Sequence, residues 1–258
     1  MKLAGQGSDV ALSDVRREVS DLPPAEIRNE WGGIDTVSQE VQALGRRAVP
    51  IYCDLSDPNE IERLVERTMT EFGRIDILVN NARAIIGRDK VPVTQLDKEV
   101  WDHFLAINTT AVFLTTKAVA PHMIDSGRGG RIINIASNAG KQASANGAAY
   151  SASKFAVLGL TQATAMDLAP YNITVNAVCP GPINTDRMSY WERDKAQELG
   201  ITQEEFRSQV VDSSAQGTPL GRIAESEDVA NMVAFLAGDD ASFITGQSYN
   251  VNGGQLFH

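Results

Sequence analysis

Short apolar runs alternate with segments of helical pattern along this chain, and most of the runs end on a polar residue. Residues 9–13 read as a buried strand ending at Asp14, and residues 48–55 as a second with Asp54 at its end. Residues 75–81 carry Asn80, residues 130–137 close on Ser137, residues 173–179 lead into Pro180-Gly181, and residues 248–251 form the last run. Between them, residues 36–44, 58–72, 97–125, 150–168 and 227–237 repeat apolar residues at helical spacing. Pro58 opens one of these helices and Gly73 stops it. Strand–helix alternation predicts helices packed on a mostly parallel sheet. In such sheets a ligand sits outside the carboxyl ends of the strands. Asp14, Asp54, Asn80, Ser137 and Pro180 therefore converge on one crevice. No internal repeat, low-complexity stretch or interdomain linker interrupts the pattern, so one domain is expected.

The chemistry in that crevice is carried by Ser137, Tyr150 and Lys154. Tyr150 and Lys154 are spaced i, i+4 and share one helix face. Ala149, Ala152, Ala156, Val157, Leu160 and Ala163 mark that helix as buried. An ammonium beside a phenol favours the phenolate, so the Tyr150 pKa is expected to fall toward working pH. Such a tyrosine gives a proton to a carbonyl oxygen or takes one from an alcohol. Ser137, at a strand end, is placed to hydrogen-bond the same oxygen. Asn108 stands in the middle of the 97–125 helix, where asparagine is a poor choice, and that points to a specific role.

With these residues in view, the sequence resembles the short-chain dehydrogenase/reductase family over nearly its whole length. The resemblance rests on Asp54-Leu55, Asn80-Asn81-Ala82, Asn108, Ser137, Tyr150 with Lys154, Pro180-Gly181, and the closing Ile244-Thr245-Gly246-Gln247 and Asn252-Gly253-Gly254. It implies a Rossmann-like, doubly wound α/β fold that moves hydride between NAD or NADP and a carbonyl or alcohol. It further implies that Tyr150 is the general acid/base and that Lys154 also holds the nicotinamide ribose. Ser137 would steady the substrate oxygen, and Asn108 would hold a water linked to Lys154 in a proton relay. Asp54 would receive the adenine amino group, Ile183 the nicotinamide carboxamide through its backbone, and Thr185 a phosphate or that amide. Leu55, Asn80, Pro180 and Gly181 complete the expected cofactor contacts. Residues 186–217, charged and interspersed with Tyr190, Trp191 and Phe206, fall where the family carries its substrate lid. Homotetramers or homodimers are expected, because helices 97–125 and 150–168 carry more apolar positions than one face needs.

Three features depart from the family or add to it. An acid at the end of the second strand binds ribose hydroxyls in dinucleotide folds, which makes Asp14 a cofactor residue and favours NAD. Arg16 and Arg17 follow it and suit a 2′-phosphate, so NADP stays open. The glycine fingerprint belongs about 20 residues before such an acid, a position that falls before Met1. Gly5-Gln6-Gly7 precedes a strand instead of following one and opening a helix. The expectation is therefore a fold without its first strand and phosphate loop, through a clipped chain or late start rather than a natural variant. Arg83 stands where the family motif Asn-Asn-Ala-Gly has its glycine; it points to solvent or lines the substrate mouth. Residues 18–34, with Pro23-Pro24, Trp31 and Gly32-Gly33, form an irregular insertion that covers the adenine side or meets a neighbouring subunit.

A net charge of −10 argues against nucleic acid or an anionic membrane as partner. No apolar run reaches the length of a membrane span, and no signal peptide opens the sequence. Cys53 and Cys179 read as free buried thiols, no metal site is evident, and the cytoplasm is the expected compartment. The substrate is left open among a sugar or polyol, a cyclic alcohol and a 3-oxoacyl thioester. The rivals to a secondary alcohol dehydrogenase are an NADPH-dependent 3-oxoacyl thioester reductase and a non-catalytic member of the fold.

Overall fold

The structure is a computed structural model that describes residues 1–16, 32–84, 89–185 and 195–258. Most of the 18–34 insertion, Arg17, and Tyr190 and Trp191 of the expected lid lie outside the described residues. A short helix, α1 (Lys2–Gly5), leads to β1 (Val10–Asp14), α2 (Gly33–Ala43), β2 (Ala48–Tyr52), α3 (Pro58–Phe72) and β3 (Ile77–Asn80). Then come α4 (Lys98–Leu105), α5 (Ala111–Ser126), β4 (Gly130–Ile135), α6 (Ala148–Leu168), β5 (Ile173–Pro180), α7 (Gln203–Gln216), α8 (Ser226–Ala237) and β6 (Ser248–Val251). Every strand pair is parallel.

The central strands show why this pattern folds as it does. Ile132 and Ile133 are neighbours on β4 and point to opposite faces. Ile132 packs with Val119, Met123 and Val175 under α5 and α6, and Ile133 packs with Val178, Val233 and Leu236 under α8. Both faces are covered, so β4 and β5 carry mostly apolar residues, with Asn134, Thr174 and Asn176 as buried polar exceptions. Helix α3 starts where Asp57 accepts a hydrogen bond from Asn59 N–H with Pro58 at the first turn, and stops where Gly73 takes the left-handed conformation.

The sheet itself is in two pieces among the described residues: β1 pairs with β2, and β3-β4-β5-β6 form a second segment. α3 packs on both β2 and α5, and α1 packs on α8, so helices on the two faces bridge the segments. All of β5 is buried, whereas Ile77, Leu78, Val79 and Asn80 of β3 are only half-buried.

The expected helix over residues 97–125 is broken. α4 and α5 are joined by a π turn at Ala106–Thr110, with Asn108 at its centre. Strand ends are also shorter than the sequence suggests: Asp54 and Ser137 each lie two residues beyond their strand, in the turn that follows.

Candidate active site

Ser137, Tyr150 and Lys154 meet at the carboxyl end of β4. Ser137 is extended and its Oγ accepts from Ala139 N–H at 3.1 Å, which starts a tight turn over Asn138–Gly140. That turn lies directly on α6. A Cβ on Gly140 would stand 2.7 Å from the Lys154 carbonyl oxygen, closer than side-chain carbons come to backbone. Only glycine lets the serine turn approach the helix that carries Tyr150 and Lys154. Lys154 is 3% exposed, and its Nζ donates to the Ile135 carbonyl at 2.7 Å. Among the described residues no carboxylate pairs with it. Burial first, and then the nearby charge of Arg83, hold its pKa down at about 8. Its Nζ lies 6.0 Å from the Tyr150 ring centroid. The ring is steadied edge-on by Phe104 of α4.

Asn108 is fully buried, and its side chain is committed on both sides. Oδ1 accepts from Ala84 N–H at 2.8 Å, and Nδ2 donates to Ser153 Oγ at 2.9 Å. Ser153 Oγ in turn donates to the Tyr150 carbonyl at 2.8 Å, and Thr109 Oγ1 donates to the Ser153 carbonyl. The π turn thereby ties the loop after β3 to the first turn of α6. Asn108→Ala would leave the Ala84 N–H without its acceptor, at a cost of about 1–3 kcal/mol. A clearly lowered melting temperature is the expected result; an unchanged one would mean that the tie carries no stability.

The expected cofactor residues fall around the crevice in different ways. Asp14 ends β1, and its carboxylate accepts from Val15 N–H at 2.8 Å. Arg16 stacks on the Tyr52 ring at 4.4 Å. Asp54 accepts from both the backbone and the hydroxyl of Ser56, and Leu55 is half-buried beside it. Pro180 ends β5, and Gly181 N–H donates to the Val251 carbonyl. Ile183 bridges to Ala224, and Arg207 of α7 donates to Asn184 Oδ1 and to the Thr185 carbonyl. Asn80 turns inward: its amide bonds Asn134 Oδ1 and Thr116, and its oxygen accepts from Thr115. Only its backbone is left to face the crevice.

Two groups the sequence reading passed over hold this frame. Asn134 continues the Asn80 chain to Thr161 of α6. Asn138 beside Ser137 bonds Asn252 and Gln255, and Gln255 donates to Thr218 after α7. Asparagines at strand ends were the only signal for either. Cys53 and Cys179 are free and buried, as expected, and burial raises both thiol pKa values, Cys53 to about 11. Among the described residues there is no metal-binding group and no helix long and apolar enough to cross a membrane.

The family profile described as Enoyl-(Acyl carrier protein) reductase matches residues 2–255. Over 257 residues the chain is 34% identical to a short-chain dehydrogenase/reductase of Armillaria gallica, across 100% of this chain and 90% of that protein. Over 249 residues it is 34% identical to sorbitol dehydrogenase of Cereibacter sphaeroides, across 96% of this chain and 88% of that enzyme. Among solved structures, NAD+-bound xylitol dehydrogenase superposes with a TM-score of 0.80 at 32% identity, covering 98% of this chain and 91% of that one.

Proposed function

Because the chain belongs to the short-chain dehydrogenase/reductase family, whose members are NAD(P)-dependent oxidoreductases, we propose that it interconverts a secondary alcohol and a ketone. The observation that carries this reading is Lys154: a buried lysine with no carboxylate partner among the described residues, held by the Ile135 carbonyl beside the Tyr150 ring. An uncompensated buried cation is costly, and it makes sense where negative charge develops on a neighbour.

A bound nicotinamide supplies acceptance and donation of hydride. Tyr150 Oη takes the hydroxyl proton in the oxidative direction and returns it to the carbonyl oxygen in the reductive one. The Ser137 hydroxyl donates to the same oxygen. Lys154 sets its charge against the developing phenolate and reaches the ribose. With the Asn108 side chain already bonded, its part in a proton relay falls to the irregular backbone of the π turn. The residues at the crevice suit the nucleoside ends of a dinucleotide: Asp14 for ribose hydroxyls and Asp54-Leu55 for adenine, with Pro180, Gly181, Ile183 and Thr185 for the nicotinamide side. Pyrophosphate is a different matter, since no glycine-rich turn opens a helix at the crevice among the described residues. NAD is favoured because Asp14 ends β1 and Arg16 is stacked on Tyr52. NADP is the second choice.

A relative acting on sorbitol and a neighbour acting on xylitol support a polyol or other secondary alcohol as the substrate class. The test is a panel of polyols, cyclic alcohols and short ketones with saturating NAD(H) and NADP(H), followed by nicotinamide absorbance. Cofactor-dependent turnover of at least one pair supports the reading, and failure of all of them with both cofactors overturns it. Residues 195–217 with α7, pinned by Arg207 to the Thr185 loop, are assigned to the lid. A reducing cytoplasm fits the two free thiols.

The working unit is proposed to be a homotetramer or homodimer. Phe113 on α5 is 46% exposed, and Phe155 and Met166 on α6 are 46% and 72% exposed. A second copy packing these helices across a two-fold axis would cover them. Light scattering is expected to give a multiple of the 27.9 kDa chain mass. A monomer mass at micromolar concentration would refute this.

A further inference from the structure

Arg83 does not turn away into solvent. Its guanidinium carbon lies 5.5 Å from the centroid of the Tyr150 ring, over the ring face. The backbone just after it is fixed, because Ala84 is buried and its N–H is held by Asn108 Oδ1. The side chain therefore springs from a clamped point at the mouth of the crevice. Arg83 itself is exposed, and among the described residues no carboxylate pairs with it. Its charge is felt by Lys154, whose pKa it lowers. Among the described residues, two cations with no carboxylate counter-ion thus flank one tyrosine, in a chain whose net charge is −10. Like charges so placed repel, and an anion between or beside them relieves that repulsion. The planar fork of an arginine binds a carboxylate through two parallel hydrogen bonds.

We propose that Arg83 is a substrate-binding residue that grips a carboxylate, so that the chain acts best on a short keto or hydroxy acid. The geometry sets the length of that acid. The guanidinium lies over the ring and the phenolic oxygen on its rim, so a carboxylate on Arg83 is held only a few bonds from an oxygen on Tyr150. A short oxo acid is the class this brings within reach, and acetoacetate serves as its probe. The proposal rests on the oxidoreductase reading for its choice of Tyr150 as the reacting group, but not for the anion site itself. A phosphate oxygen of the dinucleotide would suit the same fork, and the test separates the two.

The probes are acetoacetate, its neutral methyl ester and NADH. Each is titrated by calorimetry or ligand-observed NMR into the wild type, Arg83→Met and Arg83→Lys, with melting curves to confirm that the variants fold. Charge-assisted hydrogen bonds of about 1.5–3 kcal/mol correspond to roughly 10–150-fold. Acetoacetate is expected to lose at least tenfold in affinity with Arg83→Met and to recover part of it with Arg83→Lys, while methyl acetoacetate binds all three alike. Unchanged acetoacetate affinity in Arg83→Met overturns the proposal. So does a loss confined to NADH, which would give Arg83 to the cofactor. If acetoacetate binds as expected but no reduced nicotinamide is consumed by any of the three proteins even at NADH concentrations above its millimolar dissociation constant, the anion site stands and the use of Tyr150 as the reacting group falls.

Discussion

Replacing Tyr150 by phenylalanine is expected to cut turnover by about 10²–10⁴-fold while leaving NADH affinity nearly unchanged. Only one atom is lost, the oxygen that exchanges the proton. The ring stays wedged against Phe104, and the Tyr150 carbonyl still accepts from Ser153 Oγ, so the start of α6 keeps its place. Lys154 keeps its bond to the Ile135 carbonyl, which does not depend on the phenol. The variant should therefore fold and melt like the wild type, which separates chemistry from stability. Steady-state rates with a reactive alcohol or ketone, beside a NADH titration, both carried above millimolar NADH, read both quantities. A loss below about tenfold would take Tyr150 out of the proton-transfer role that general acid–base catalysis assigns it.

The 258-residue chain by itself is expected to bind NADH weakly, at millimolar concentrations or above. In dinucleotide folds the pyrophosphate is held by backbone N–H groups at a helix N-terminus beside the middle of the sheet. Among the described residues the sheet is in two segments, β1-β2 and β3-β4-β5-β6, and no glycine-rich turn opens a helix at the crevice. Loss of two or three charge-assisted hydrogen bonds costs on the order of 3–9 kcal/mol. That is enough to take a micromolar site to millimolar or weaker. Asp14, Asp54 and Lys154 are proposed to hold the nucleoside ends, which does not replace the cradle. Fluorescence or calorimetric titration of this chain, against one extended ahead of Met1 by a strand and a glycine-rich turn, measures the difference. Micromolar affinity without the extension would mean the phosphates are held another way, with Thr185 and Arg83 the first residues to substitute.

Both expectations trace back to features that differ in how far the sequence reveals them. Tyr150 and Lys154 are one helical turn apart, so their shared face follows from spacing alone. Asn108 was conspicuous as a poor residue in mid-helix, and the structure places it in a π turn. What that asparagine bonds was not legible: Ala84 and Ser153 come from elements far along the chain. Asn80 is a second case. Its position at a strand end suggested a cofactor contact, but Thr115 and Asn134 draw its side chain into the protein. Gly140 carried no recognisable signal, because its need for a bare Cα comes from a helix backbone that meets it only after folding.

The sequence by itself determined the parallel α/β class, the order of strands and helices, and the shared helix face of Tyr150 and Lys154. These are written in local periodicity and in side-chain chemistry, which neighbours along the chain already express. The tertiary structure decided the rest: a sheet in two pieces bridged by helices, Arg16 on Tyr52, and Arg83 over Tyr150 rather than away in solvent. A long side chain has many rotamers of similar energy, and the unfolded chain gives no reason to choose among them. Arg83 is directed only once Asn108 has clamped the neighbouring backbone and α6 has brought the ring beneath it.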